Sequence, residues 1–299
     1  MINSKKHILQ MIIKYKHASV SYNYLFLHTT NARLTFWERD PKGGYNKEKP
    51  KPSTKQLIRD GLGQIKKEIQ LWKDEIIEKY EADPLLVLNP GEIEKKWTFS
   101  DNNDLEHWIV TSDKDHAEGS SACSLEINSQ GKGIFSGVLS TEVPQDGKIK
   151  RSGYCNMRTI RHKKSFQRDA FYDWGIFTHL VLKIRGDGRG YFINLATSGY
   201  FDQLWNDSFH YIMFTRGGPY WQIARIPFSK FYFTSKGRIQ DLQFPIPLSR
   251  ITSVGITVSD KSSGPFYLEI DYIGLEIDNT YEETFAYEKY KIPKFLAAN

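Results

Sequence analysis

Between Trp97 and Leu275 polar and apolar residues alternate in short runs broken by Gly, Pro, Asp and Ser. The clearest run is Phe266–Leu275. Phe266, Leu268, Ile270 and Tyr272 fall on one side of it, and Tyr267, Glu269 and Asp271 on the other. A period of two is what a half-buried antiparallel strand requires. Similar runs predict strands at 124–127, 134–139, 154–158, 179–185, 191–197, 210–214, 221–227 and 254–259. Leu180, Leu182 and Ile184 share a face, and Gly186-Asp187-Gly188-Arg189-Gly190 leads straight into the next run. That spacing predicts a hairpin of 179–185 with 191–197. Many short strands between turns predict an all-β double-sheet sandwich or jelly roll.

One segment has the other periodicity. Ile58, Leu62, Ile65, Ile69, Trp72, Ile76 and Tyr80 recur at steps of three and four, with Lys66, Lys67, Glu68, Lys73, Asp74 and Glu75 between them. This predicts an amphipathic helix over 54–83, about 40 Å long at 1.5 Å per residue, with Ser53 or Thr54 as its cap. Gly61 and Gly63 weaken its first turns by up to about 1 kcal/mol each. Asp83-Pro84 ends it, and Pro90-Gly91 starts a connector into Trp97. Two readings stand for the stripe: it packs on the chain's own sandwich, or it offers Trp72 and Ile76 to a partner.

Charge changes the picture at the amino end. The chain of 299 residues carries a net charge of +6, but no acidic residue precedes Glu38. Lys5, Lys6, Lys14, Lys16 and Arg33 stand there among serines and threonines. Such a basic, hydroxylated, acid-poor segment is expected to be a mitochondrial presequence over 1–36. A Pro/Gly/Lys-rich linker at 37–53, the helix, a sandwich over 90–278 and an extension at 279–299 complete the expected organisation. No run approaches the roughly 18–20 apolar residues of a membrane span. Cys123 and Cys155, the two cysteines, form no metal or redox motif; two buried free thiols in a reducing compartment are expected, with a single disulfide as the alternative.

Candidate chemistry is sparse. The glycine run at 186–190 lacks the spacing of a phosphate loop and no helix follows it. Glu269 and Asp271 leave one face of a strand about 7 Å apart, a separation compatible with glycosidase carboxylates, although a solvated outer face is the simpler expectation. Asp101-Asn102-Asn103-Asp104 and Asp113-Lys114-Asp115 are rich in oxygen but miss the EF-hand pattern. Trp174, Tyr200, Phe201, Trp205, Tyr220 and Trp221 are candidates for stacking on sugars or for protein contacts, with core packing as the alternative. Arg158, Arg161, His162, Lys163, Lys164 and Arg168 form a basic stretch suited to acidic protein, anionic lipid or nucleic acid. No catalytic residue, cofactor or metal is expected. The interaction candidates are Trp72, Ile76, Arg161, Lys163, Lys164, Trp174 and Trp205.

An ordered set of segments resembles a known family. Trp97-Thr98-Phe99 with Asp101 opens it, followed by Asp173-Trp174-Gly175, the stretch 182–189 and Tyr191-Phe192-Ile193-Asn194-Leu195. Phe228-Ser229, Phe231 and Leu268-Glu269-Ile270-Asp271-Tyr272-Ile273 complete it. Over about residues 90–278 these are similar to the complex I intermediate-associated protein family, mitochondrial assembly factors for NADH:ubiquinone oxidoreductase. The resemblance implies a galactose-binding-like sandwich used as a scaffold and not as an enzyme. It implies a place in the matrix at the inner membrane, among complex I assembly intermediates. The implied partners are an acyl-CoA dehydrogenase-like assembly factor, ECSIT and small inner-membrane assembly proteins, with no nucleic acid. The competing expectation is a carbohydrate-binding module or sugar-active protein on the same fold, with Trp174, Trp205 or Trp221 lining a concave face.

Overall fold

The computed structural model describes residues 53–81, 89–116, 118–145, 147, 149, 152–161, 163–197, 207–235 and 237–287. The expected presequence, nearly all of the linker, and Tyr200, Phe201 and Trp205 lie outside the described residues.

Two antiparallel sheets build the sandwich. The first has the order β11 (Gln222–Pro227), β8 (His179–Gly186), β15 (Gly264–Glu276), β4 (Gly133–Leu139), β3 (Ala122–Ile127), with β1 (Ile93–Thr98) also paired to β15. The second runs β13 (Arg238–Ile239), β12 (Tyr232–Ser235), β10 (Asp207–Phe214), β9 (Gly190–Thr197), β14 (Ile251–Val258), β5 (Cys155–Thr159), β2 (Trp108–Ser112). A two-stranded ribbon, β6 (Lys163–Lys164) with β7 (Arg168–Asp169), stands apart from both.

The alternation does what its period requires as far as Ile270; a register shift there turns Tyr272, expected on the inner side, outward opposite Lys183, and Ile273 and Leu275 take the core positions. Leu180, Leu182 and Ile184 of β8 and Phe266, Leu268 and Ile270 of β15 point inward and are buried. Tyr191, Ile193 and Leu195 of β9 and Val254, Ile256 and Val258 of β14 join the same buried core. Burying such side chains contributes about 1.5–3 kcal/mol each, so the facing rows are the main source of cohesion.

The expected hairpin of 179–185 with 191–197 does not form. β8 belongs to the first sheet and β9 to the second, so the Gly186–Gly190 turn is an arch between sheets. Both edges of each strand are already taken: β8 pairs with β15 and β11, and β9 with β10 and β14. Asp187 holds the arch by accepting hydrogen bonds from the Tyr267 backbone N–H at 2.8 Å and the Tyr191 hydroxyl at 3.2 Å. Gly186 is required there, because a Cβ would stand 2.4 Å from the Cβ of Thr215.

Strands β1, β2, β12 and β13 were not legible as alternating runs. In β1 a register shift between Lys95 and Trp97 breaks the period, and β2 is largely buried along its length. The helix α1 spans Thr54–Glu81, and Ser53 Oγ accepts the Gln56 N–H at 3.4 Å at its start. Asp104 accepts the backbone N–H groups of Ser100 and Asp101, which closes the turn at 101–105.

Candidate protein-interaction site

The helix meets the sandwich with its polar side. Glu68 and Glu75, seven residues apart, lie two turns from one another on one face. Glu75 Oε1 accepts the backbone N–H of Ser165 at 2.6 Å, and Glu68 Oε2 accepts that of Phe166 at 2.7 Å. Arg168 also pairs with Glu75. The Ser165 N–H, with further help from Arg168, holds the Glu75 carboxyl below its usual range against the opposing effect of burial. Gln64 donates to the other Glu68 oxygen at 2.7 Å, and Glu68 is 2 % exposed.

The loop that receives the helix is strained. Phe166 has φ of +56°, in the left-handed region where a side chain costs about 1–3 kcal/mol. Charge-assisted hydrogen bonds to two successive N–H groups offset that cost, being roughly twice as strong as neutral ones. The ribbon β6–β7 flanks the loop: Lys163 and Arg161 both pair with Asp169.

This arrangement joins two groups of expected residues. Trp72 and Ile76 stand on the helix, Arg161, Lys163 and Lys164 beside the loop that binds it. Docking leaves the apolar stripe outward. Ile58, Leu62, Ile65, Ile69 and Trp72 are 41 % to 64 % exposed, and Ile76 is half-buried. Reasoning from sequence missed Glu68 and Glu75 as the docking pair. Their seven-residue spacing beside Gly61 was the available signal.

Trp174 is elsewhere. Its indole is 1 % exposed and packs against Trp97, Tyr172 and Phe228, so core packing claims it. Trp221 is half-buried on the outer face of the first sheet, with Lys183 and Arg185 over its ring at 5.6 Å and 5.2 Å. Tyr220 beside it is 82 % exposed.

Glu269 and Asp271 lie on that outer face, but not as solvated carboxylates. Glu269 is fully buried, accepting from Arg185 Nε at 2.7 Å and Asn128 Nδ2 at 2.6 Å. Asp271 pairs with Lys183 at 2.7 Å and with Lys132. Burial raises the Asp271 carboxyl, but the two ammonium groups outweigh it and hold it below its usual range. With every oxygen of the pair bound to a cation or an amide, neither carboxylate is turned toward a substrate. Asp113 is similarly saturated, by the N–H groups of Ser121 and Gly153 and the Ser121 hydroxyl at 2.7–3.1 Å.

On the outer face of the second sheet a polar row crosses four strands. Asn194 donates to Thr257, Thr257 to Asn156, and Asn156 to Thr111, at 2.6, 2.8 and 3.3 Å. His210 lies next to it between the rings of Phe192 and Tyr232, and burial pushes its pKa down to about 4. Cys123 and Cys155 are free thiols, Cys155 fully buried.

Comparison with known proteins places this architecture. A family model described as Complex I intermediate-associated protein 30 (CIA30) matches residues 97–270. "Complex I intermediate-associated protein 30, mitochondrial" of Drosophila melanogaster is 52 % identical over 274 residues, covering 91 % of this chain and 93 % of that protein. The Mus musculus protein of the same name is 44 % identical over 220 residues, 72 % of this chain and 67 % of its own length. Among solved structures, a family 11 carbohydrate-binding module of the Clostridium thermocellum cellulase Lic26A-Cel5E aligns with a TM-score of 0.44 and 18 % identity, over 62 % of this chain and 94 % of the module. A family 30 carbohydrate-binding module aligns at 0.36 and 10 %, over 67 % of this chain and 91 % of its own. Likeness of that degree says nothing of a ligand. The sequence relationship spans both the sandwich and α1, and the chain belongs to the complex I intermediate-associated protein 30 family.

Proposed function

We propose that this chain is a mitochondrial assembly factor for respiratory complex I that works as a scaffold and not as an enzyme. The observation that carries the reading is the 52 % identity to a complex I intermediate-associated protein over nine-tenths of the chain. The site geometry supports it. The carboxylates best placed for acid–base work, Glu269 and Asp271, are consumed by structural ion pairs. What faces outward is contact surface: the helix stripe, the exposed Lys164 and the Tyr220–Trp221 corner, while Arg161 and Lys163 are turned to Asp169. Tyr, Trp and Arg are the residue types that dominate protein–protein hot spots.

The finer reading is a matrix protein peripheral to the inner membrane that holds membrane-arm intermediates of complex I. Its partners in that reading are an acyl-CoA dehydrogenase-like assembly factor, ECSIT and small inner-membrane assembly proteins. Family resemblance supports these partners, and the outward surfaces above are the residues to test. The 1–36 segment is proposed as the presequence.

Depletion of the protein, followed by native electrophoresis of mitochondrial membranes with mass spectrometry, tests the function. Stalled membrane-arm intermediates, loss of complete complex I and intact other respiratory complexes are expected. Normal complex I would overturn the proposal.

A further inference from the structure

The exposed stripe of α1 has a finer order than amphipathicity. Ile58, Leu62, Ile65, Ile69, Trp72 and Ile76 follow one another at alternating steps of four and three, which are the seam positions of a seven-residue repeat. A strict seam of this kind is narrower than the broad apolar face of a helix that packs on a globular core. Leu71 and Ile77 are also exposed, but they stand on separate sides of the helix, off the seam.

The two borders of the seam differ. On one side, at successive repeats, stand Arg59, Lys66 and Lys73; on the other stand Gly61, Glu68 and Glu75. The second border is already used, because Glu68 and Glu75 bind the loop at Ser165 and Phe166. The open border is therefore basic through three repeats and ends on the exposed Tyr80. An occupant of the seam must bring apolar residues to the middle and negative charge to the side of Arg59, Lys66 and Lys73.

A second copy of this helix fits badly. A parallel pair would need Glu68 to leave the loop and meet Lys73 of the other copy. An antiparallel pair would set the Arg59, Lys66 and Lys73 row against itself, and like charges across a seam repel. A lipid surface prefers a broad apolar face with cations at its edges, and here one edge is carboxylate and loop.

We propose that the seam of α1 docks an amphipathic helix with an acidic flank, presented by another protein of the assembly complex. The inference rests on the assembly-factor reading for its setting, and charge complementarity identifies the occupant. Docking buries Trp72 and pairs the basic border, while the Glu68–Glu75 clasp keeps the helix on the sandwich.

The test uses the full chain and two labelled synthetic 21-residue helices, each with Leu and Ile at the seam positions. One has Glu on both flanks and the other Lys. Fluorescence anisotropy is expected to give binding of the acidic helix at least about tenfold tighter than the basic one, with the difference shrinking as salt rises. The triple variant R59E/K66E/K73E should reverse the order, and Ile65→Asp should abolish both. These positions are exposed, so the melting temperature of the sandwich serves as the control for folding. Equal binding of both helices, or none, overturns the proposal. So does self-association of the unaltered chain in sedimentation that Ile65→Asp removes, or capture by phosphatidylglycerol vesicles that the acidic helix fails to compete away. In depleted cells the two readings separate. If the unaltered chain fails to restore complex I, the assembly reading fails. If the triple variant restores it fully, the seam inference fails alone.

Discussion

Glu75 and Ser165 lie 90 residues apart in the chain, yet the carboxylate of one takes the backbone N–H of the other at 2.6 Å. That bond, its neighbour from Phe166 to Glu68 and the Arg168–Glu75 ion pair attach α1 to the sandwich. Few apolar residues contribute, since the apolar stripe points away.

Attachment by two charged hydrogen bonds and the Arg168–Glu75 ion pair makes the helix separable from the core. Replacing Glu68 and Glu75 together by Ala is expected to remove about 1.5–3 kcal/mol per bond of helix docking. Hydrogen exchange should quicken across Thr54–Glu81 while the strands of both sheets keep their protection. Equal loss of protection in β8 and β15 would mean that the helix is integral to the core.

The Arg185–Glu269 pair makes an asymmetric prediction. Glu269 is fully buried, whereas Arg185 is 33 % exposed. Arg185→Met leaves a carboxylate with no cation in the interior and is expected to cost about 3–5 kcal/mol. Glu269→Gln leaves a guanidinium that can reach water and should cost about 1–2 kcal/mol. Urea unfolding of both variants checks the order, and the reverse order would contradict the burial of Glu269.

His210 predicts acid sensitivity. Its folded pKa is pushed down to about 4, below the ordinary value near 6.5. Between those values the unfolded chain binds the extra proton and the folded chain does not, so stability falls as pH drops from about 6.5 to 4. The loss from this group alone is at most about 3 kcal/mol. His210→Phe keeps a ring against Phe192 and Tyr232 and should flatten the slope in urea melts at pH 7 and pH 5. An unchanged slope would assign the acid sensitivity to other groups.

Two glycines should respond with opposite signs. A Cβ on Gly137 would lie 2.1 Å from the Ala122 carbonyl oxygen, while one on Gly63 meets nothing within 4 Å. Gly137→Ala is expected to cost about 1–3 kcal/mol by forcing β3 and β4 apart. Gly63→Ala is expected to strengthen the exposed helix by about 0.5–1 kcal/mol, read as helicity by circular dichroism.

Legibility followed burial. Strands whose inner side meets the opposite sheet, such as β8, β9 and β15 as far as its register shift after Ile270, announce themselves by alternation. β1 does not, because its bulge sits where the period would be counted. The hairpin error came from a turn whose length suits either a hairpin or an arch, and only the partners on the outer edges of β8 and β9 decide between them. At the candidate site the apolar stripe was plain, but the docking face was not. Glu68 and Glu75 look like solvent-facing residues until Ser165 and Phe166 are brought to them by the rest of the fold. Trp174 illustrates the converse, since an aromatic cluster in sequence does not say which ring faces inward.

β15 has a consequence for how the chain comes to be folded. It lies between β8 and β4 and, among the described residues, is the sole strand paired with β1 and the last strand in order. Synthesis delivers the amino end first. Until Gly264–Glu276 arrives, β4 and β8 each have a bare edge and β1 has nothing to pair with. Non-local pairing of this kind is slow and leaves sticky intermediates. The factor proposed to hold a half-built complex thus has a first sheet that is itself half-built until β15 is in place.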